Sequence, residues 1–125
     1  MRLIQGLLLS GVLSFPVAAF AEGDPEKGEK VFRKCRSCHE VGPDAKDKSG
    51  PALNGILGAA AGASADFKYS KALQSAAEDG LVWDEASLTA FLTKPRDFLK
   101  GTRMSFSGLR KEADVANVIA YLRQN

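Results

Sequence analysis

Cys35-Arg36-Ser37-Cys38-His39 decides how this chain is read. Cys-x-x-Cys-His is the signature for covalent attachment of a c-type haem. Carried on the last turn of a helix, Cys35, Cys38 and His39 would share one face, because residues three and four apart are neighbours on a helical surface. The two sulfurs can then hold the ring as thioethers while the imidazole reaches the iron. Three other readings compete for the motif. A redox-active dithiol expects a βαβ setting, which this glycine-rich, helix-patterned sequence does not show. A structural zinc site expects four ligands, usually Cys and His, and the chain offers two cysteines and one histidine. A plain disulfide would leave the adjacent histidine without a role.

Towards the N-terminus, Arg2 precedes an apolar run from Leu3 to Phe20 that is broken by Gly6, Gly11 and Pro16 and closes on Ala19-Phe20-Ala21. A basic start, a short apolar stretch and an A-x-A end make a secretory signal peptide, cut after Ala21. Residues 1–21 are therefore expected to be removed, leaving residues 22–125 as the mature domain. The alternative is an uncleaved membrane anchor. That needs about 20 continuous apolar residues, and Pro16 with the small-residue end argues against it.

The full chain has 125 residues, and the expected cut leaves 104, a length that suits one compact core. No repeat or linker points to a second domain. The sequence holds 17 Lys and Arg against 15 Asp and Glu; losing Arg2 brings the two nearly level. Bulk charge therefore gives no support to a nucleic-acid partner, and any steering must come from how charges are placed.

Outward from the motif the pattern is helical. Asp24-Pro25 reads as an N-cap followed by proline at the first helical position, and Gly28, Val31, Phe32 and Cys35 fall at i, i+3, i+4 and i+7. Residues 42–51 form a polar turn segment, and 55–65 are rich in Gly and Ala without a sustained period. Ser70 can cap a short helix ending near Gly80. Asp84 can cap another that carries Leu88, Phe91 and Leu92 and stops before Pro95. From about Lys111 to Arg123, Val115, Val118, Ile119 and Leu122 make an amphipathic face. The expected fold class is all-α: a single domain of helices and long loops wrapped around one covalently bound haem. Loops of that length need an outside reason, and the ring's apolar faces supply one by standing in for core.

Of the two methionines, Met1 would leave with the signal peptide, so the mature chain has one methionine, Met104. It sits in Gly101-Thr102-Arg103-Met104-Ser105-Phe106, an irregular stretch that can present a thioether to the second face of the iron. A lone methionine is ordinarily a core gap-filler; the haem motif makes it a candidate axial ligand opposite His39. A soft thioether there favours Fe(II) and raises the reduction potential.

The mature chain resembles a class I cytochrome c, of the short bacterial cytochrome c2 type close to mitochondrial cytochrome c. The likeness runs through Gly23-Asp24 with Lys27-Gly28, Cys35 to His39, Gly50-Pro51-Ala52-Leu53-Asn54-Gly55, Phe67-Lys68-Tyr69-Ser70, Trp83, Pro95, Gly101 to Phe106 and Ile119-Ala120-Tyr121-Leu122. The resemblance implies that Pro51 offers its carbonyl to the ring nitrogen of His39 that does not bind iron, that Tyr69 and Trp83 approach a propionate, that Thr102 lies beside the methionine loop, and that Phe106 packs near the exposed haem edge. It also implies that the first and last helices cross, Gly28 and Phe32 meeting Val118 and Tyr121. Three positions depart from the mitochondrial-like pattern: Ala59 where relatives often have arginine, Phe91 in place of a tyrosine, and Leu73 in place of an asparagine. About three extra residues lie between Ala72 and Trp83.

With His39 and Met104 both bound, iron has no site left for oxygen or an organic substrate. The expected function is thus one-electron transfer through the haem edge by a monomeric carrier, not an enzyme. The resemblance places Lys34, Lys48, Lys94, Arg96, Lys100, Arg103, Arg110 and Lys111 around that edge as a cationic docking face for acidic redox proteins. It implies a periplasmic carrier without stable membrane insertion, shuttling between a cytochrome bc1 complex and a photosynthetic reaction centre or terminal oxidase. Alternatives are a dedicated acceptor for a periplasmic dehydrogenase or sulfur-oxidation system, a haem-based sensor, and a small haem peroxidase, which needs an open sixth position.

Overall fold

The computed structural model describes residues 10–13 and 22–125, so the signal-peptide reading falls largely outside the described residues. Among the described residues five helices follow in order: α1 (Pro25–Phe32), α2 (Lys71–Glu78), α3 (Glu85–Thr93), α4 (Pro95–Phe98) and α5 (Glu112–Arg123). Three of them start where a side chain satisfies otherwise orphaned amides. The Asp24 carboxylate accepts from the amides of Glu26 and Lys27, Ser70 Oγ from Leu73, and Asp84 from Ser87. The short α4 was not foreseen. Pro95, read as a stop for α3, is also a good first residue for a helix, since its missing N–H costs nothing there. No described helix is long and apolar enough to cross a membrane.

α1 and α5 form the main helix crossing. Gly28 makes it possible: a Cβ there would stand 1.9 Å from the Asn117 carbonyl oxygen and 2.8 Å from the Tyr121 Cβ. Just beyond, Phe32 meets Tyr121 with ring centroids 5.4 Å apart. The Asp24 amide donates to the Asn117 side chain at 2.8 Å. Phe32 and Val118 are each only 2% exposed, and Val115, Ile119 and Leu122 are buried beside them. Each such side chain contributes roughly 1.5–3 kcal/mol by leaving water.

Among the described residues there is no sheet, only one isolated antiparallel bridge between Ala60 and Val82. Bonds on either side extend it into a small ladder: Gly58 N to Trp83 O (2.8 Å), Trp83 N to Ala59 O (2.8 Å) and Ala61 N to Leu81 O (2.9 Å). This ladder ties the Gly- and Ala-rich loop to the strand-like entry of α3. It also holds Trp83 in the core, against Phe91 and Phe98. Near the C-terminus, Arg123 reaches Glu85 at 3.0 Å and Asn125 O accepts from Gly55 N at 3.0 Å.

Candidate functional site

The haem motif does not lie on the last turn of α1, which ends at Phe32. The chain continues instead through successive turns: Cys35 N donates to Phe32 O (2.8 Å), Cys38 N to Cys35 O (3.1 Å) and His39 N to Cys35 O (2.9 Å). Bonds spanning three and four residues keep the backbone curled, so the three side chains still gather on one side. Cys35 and Cys38 are not joined to each other in a disulfide, and both are partly buried. Burial, with the neighbouring Cys38, pushes the Cys35 thiol up, against the pull of Lys34. Hydrogen bonding from Ser49 and then Ser37, aided by Lys48, brings Cys38 down despite some desolvation.

His39 is fixed from two directions. Its Nδ1 lies 2.7 Å from the Pro51 carbonyl oxygen, and since a carbonyl can only accept, Nδ1 carries the proton. Nε2 is left with a lone pair free for a metal. The ring also rests on Gly50: a Cβ at that position would come within 2.4 Å of His39 Cε1. Gly50 N in turn donates to Cys38 O at 2.9 Å. The loop bearing Pro51 is itself pinned. Asn54 accepts from Gly42 N (2.9 Å) and donates to Gly42 O (2.7 Å), while Asp47 accepts from Ala52 N (2.8 Å).

Met104 lies between α4 and α5 in an extended stretch whose exposure alternates. Thr102, Met104 and Phe106 are partly buried, whereas Arg103, Ser105 and Ser107 are exposed. Met104 N donates to Thr102 Oγ1 at 3.2 Å. The hydroxyl foreseen only as a neighbour of the methionine loop thus shapes its backbone.

These pieces converge on one cavity of about 990 Å³. Cys35, Cys38, His39, Pro51, Tyr69, Trp83, Thr102, Met104 and Phe106 all line it, together with apolar side chains such as Leu53, Ile56, Leu73 and Leu99. Tyr69 OH accepts from Ser64 N at 2.9 Å, which leaves its own proton to donate elsewhere. Trp83 is buried and lines the cavity. The three departures noted in the sequence, Ala59, Leu73 and Phe91, line this cavity as well. An apolar space of this size, bearing two thiols, an oriented imidazole nitrogen and a thioether, fits a haem.

All eight docking candidates are exposed. Lys94, Lys100, Arg110 and Lys111 make no side-chain hydrogen bond or ion pair among the described residues, and Lys34 stands at the cavity rim. The other three are engaged. Lys48 lies 3.4 Å from Glu40 and donates to Arg36 O at 3.1 Å; Arg96 donates to Ser105 O at 3.4 Å; Arg103 donates to Lys68 O. Sequence reasoning gave Gly50 no role and missed the carbonyl bonds of the two arginines. Gly50 next to Pro51 was a readable signal, since a glycine beside a metal-orienting residue suggests close approach. The arginine bonds, 9 and 35 residues apart, left none.

An attachment motif, an imidazole held by a backbone carbonyl and a thioether on one apolar cavity define a c-type haem protein. The chain belongs to the cytochrome c family, whose model, described as Cytochrome c, matches residues 25–125. A cytochrome c2 of Rhodomicrobium vannielii is 43% identical over 122 residues, covering 98% of this chain and 95% of that protein. Among solved structures, cytochrome c2 from Rhodospirillum centenum superposes with a TM-score of 0.78 at 41% identity, covering 82% of this chain and 98% of its own. Cytochrome cH from Methylobacterium extorquens gives 0.74 at 39%, covering 82% and 100%. The family binds one covalent haem c, and its cytochromes c2 are electron-transfer proteins rather than enzymes.

Proposed function

We propose that this protein carries single electrons between redox partners; Cys35 and Cys38 are the residues that would hold a haem covalently, and His39 Nε2 and Met104 Sδ those that would bind its iron. The observation that carries the reading is the one cavity lined by all four side chains. When bound, the haem supplies the Fe(II)/Fe(III) couple. The chain does the rest. The Pro51 carbonyl fixes the His39 tautomer and orientation and makes the imidazole a stronger donor. Met104, a soft ligand, favours the reduced iron and raises the potential. Tyr69 and Trp83 would offer an O–H and an N–H to a propionate, Thr102 supports the Met104 backbone, and Phe106 would cover the haem edge.

With His39 and Met104 both on the iron, no position would be left for a substrate, which would favour outer-sphere transfer at the haem edge. Lys34, Lys48, Lys94, Arg96, Lys100, Arg103, Arg110 and Lys111 form the docking face, orienting encounter with acidic partners. We infer a chain cut after Ala21 that works in the periplasm as a residue 22–125 domain. Its donor would be a cytochrome bc1 complex and its acceptor a reaction centre or terminal oxidase. The absorption spectrum of the oxidised protein is the test. A weak red sulfur-to-iron band is expected, and its absence would refute Met104 as ligand.

A further inference from the structure

Met104 belongs to no helix or bridge, and its amide bonds only to Thr102 next door but one. Between Thr102 and Ser107, two side-chain bonds reach elements outside that local stretch among the described residues. Arg103 donates to the carbonyl of Lys68, and Arg96 of α4 donates to the carbonyl of Ser105 at 3.4 Å. They grip the chain immediately before and immediately after Met104.

The anchor that Arg103 uses is a fixed one. Lys68 precedes Tyr69, whose hydroxyl accepts from Ser64 N at 2.9 Å and whose carbonyl accepts from the Gln74 side chain at 2.8 Å. Tyr69, Arg103 and Met104 all line the cavity. The bond therefore joins two segments, distant in sequence, that line the same cavity. The acceptors are backbone carbonyls and the donors are guanidinium groups, which stay protonated at every accessible pH.

We propose that Arg103, seconded by Arg96, is a positioning residue that straps the Met104 segment to the Lys68–Tyr69 turn and sets how readily the sixth position of the iron opens to an outside ligand. This rests on the reading of Met104 as axial ligand. A guanidinium has five N–H donors, so the strap leaves others for a docking partner, and the two roles separate experimentally.

The probe is imidazole, a small molecule that does not need the docking face. It is titrated into the oxidised haem-loaded protein at neutral pH while the red sulfur-to-iron band is followed. Losing one exposed charge-assisted bond should let imidazole displace the methionine at roughly five- to tenfold lower concentration in Arg103→Ala. Arg103→Lys keeps the charge and can offer a single donor, so it should fall between Ala and wild type. Arg96→Ala should shift less, its bond being longer. Half-displacement in Arg103→Ala within twofold of wild type would overturn the strap. A wild type with no such band would instead overturn the ligand assignment beneath it, before any variant is made.

Discussion

Gly50→Ala is the sharpest probe of how the site is built. Gly50 is not one of the positive-φ glycines, so the added methyl acts chiefly by contact. It would stand 2.4 Å from His39 Cε1 and 2.8 Å from both ring nitrogens. Carbon atoms rest at about 3.5–4.0 Å, so ring and backbone must separate by roughly 1 Å. Gly50 N is tied to Cys38 O at 2.9 Å, which limits how far the backbone can retreat. The ring gives instead, and a shift of that size would carry a 2.7 Å bond to Pro51 beyond hydrogen-bonding range. Overpacking of this kind costs typically 1–3 kcal/mol. A redox titration beside chemical denaturation tests it. Stability should fall by that amount, and the potential should rise, because an imidazole that no longer donates to a carbonyl is a poorer donor to iron and stabilises Fe(III) less. A variant with wild-type stability and wild-type potential would refute the claim that Gly50 sets the place of His39.

Three further outcomes are expected. Met104→Ala should keep its haem covalently attached, lose the red band, show a lower potential and gain peroxidase activity; apart from Met1 the sequence has no other methionine, so an intact band would reject the ligand assignment. Ala59→Arg should raise the potential by on the order of tens of millivolts, since a cation on the cavity wall opposes the haem propionates and favours Fe(II); an unchanged or lower value in a redox titration counts against this. Lys100→Glu should slow association with an acidic redox partner at low salt more than Arg123→Glu, whose site is already paired with Glu85, and the difference should shrink as salt shortens the Debye length to about 8 Å and below. Equal effects would remove the case for a directed face.

Much of this was legible because short-range chemistry wrote it. Asp24, Ser70 and Asp84 each begin a helix as capping residues do, and α5 runs over nearly the residues its apolar spacing marked. The attachment motif needs no fold to be read. What was hidden depends on distance along the chain. The turns that carry Cys35 to His39 tighten because α1 has already ended; the Gly58–Ala61 and Leu81–Trp83 ladder pairs segments too short to show alternation. Arg103, a plausible surface cation by sequence, finds the Lys68 carbonyl only once the loops are folded against each other.

The meeting of α1 with α5 also has a consequence in time. Asp24 and Asn117 are 93 positions apart, and Gly28 and Phe32 find their partners in the same late stretch. Contacts that far apart are slow to close, because the loop entropy comes before the reward. Until residues 115–122 have docked, α1 lacks its main helical partner. Cys35 and Cys38 lie just beyond α1, so both thiols stay within reach of a porphyrin for as long as the α1–α5 contact is unmade.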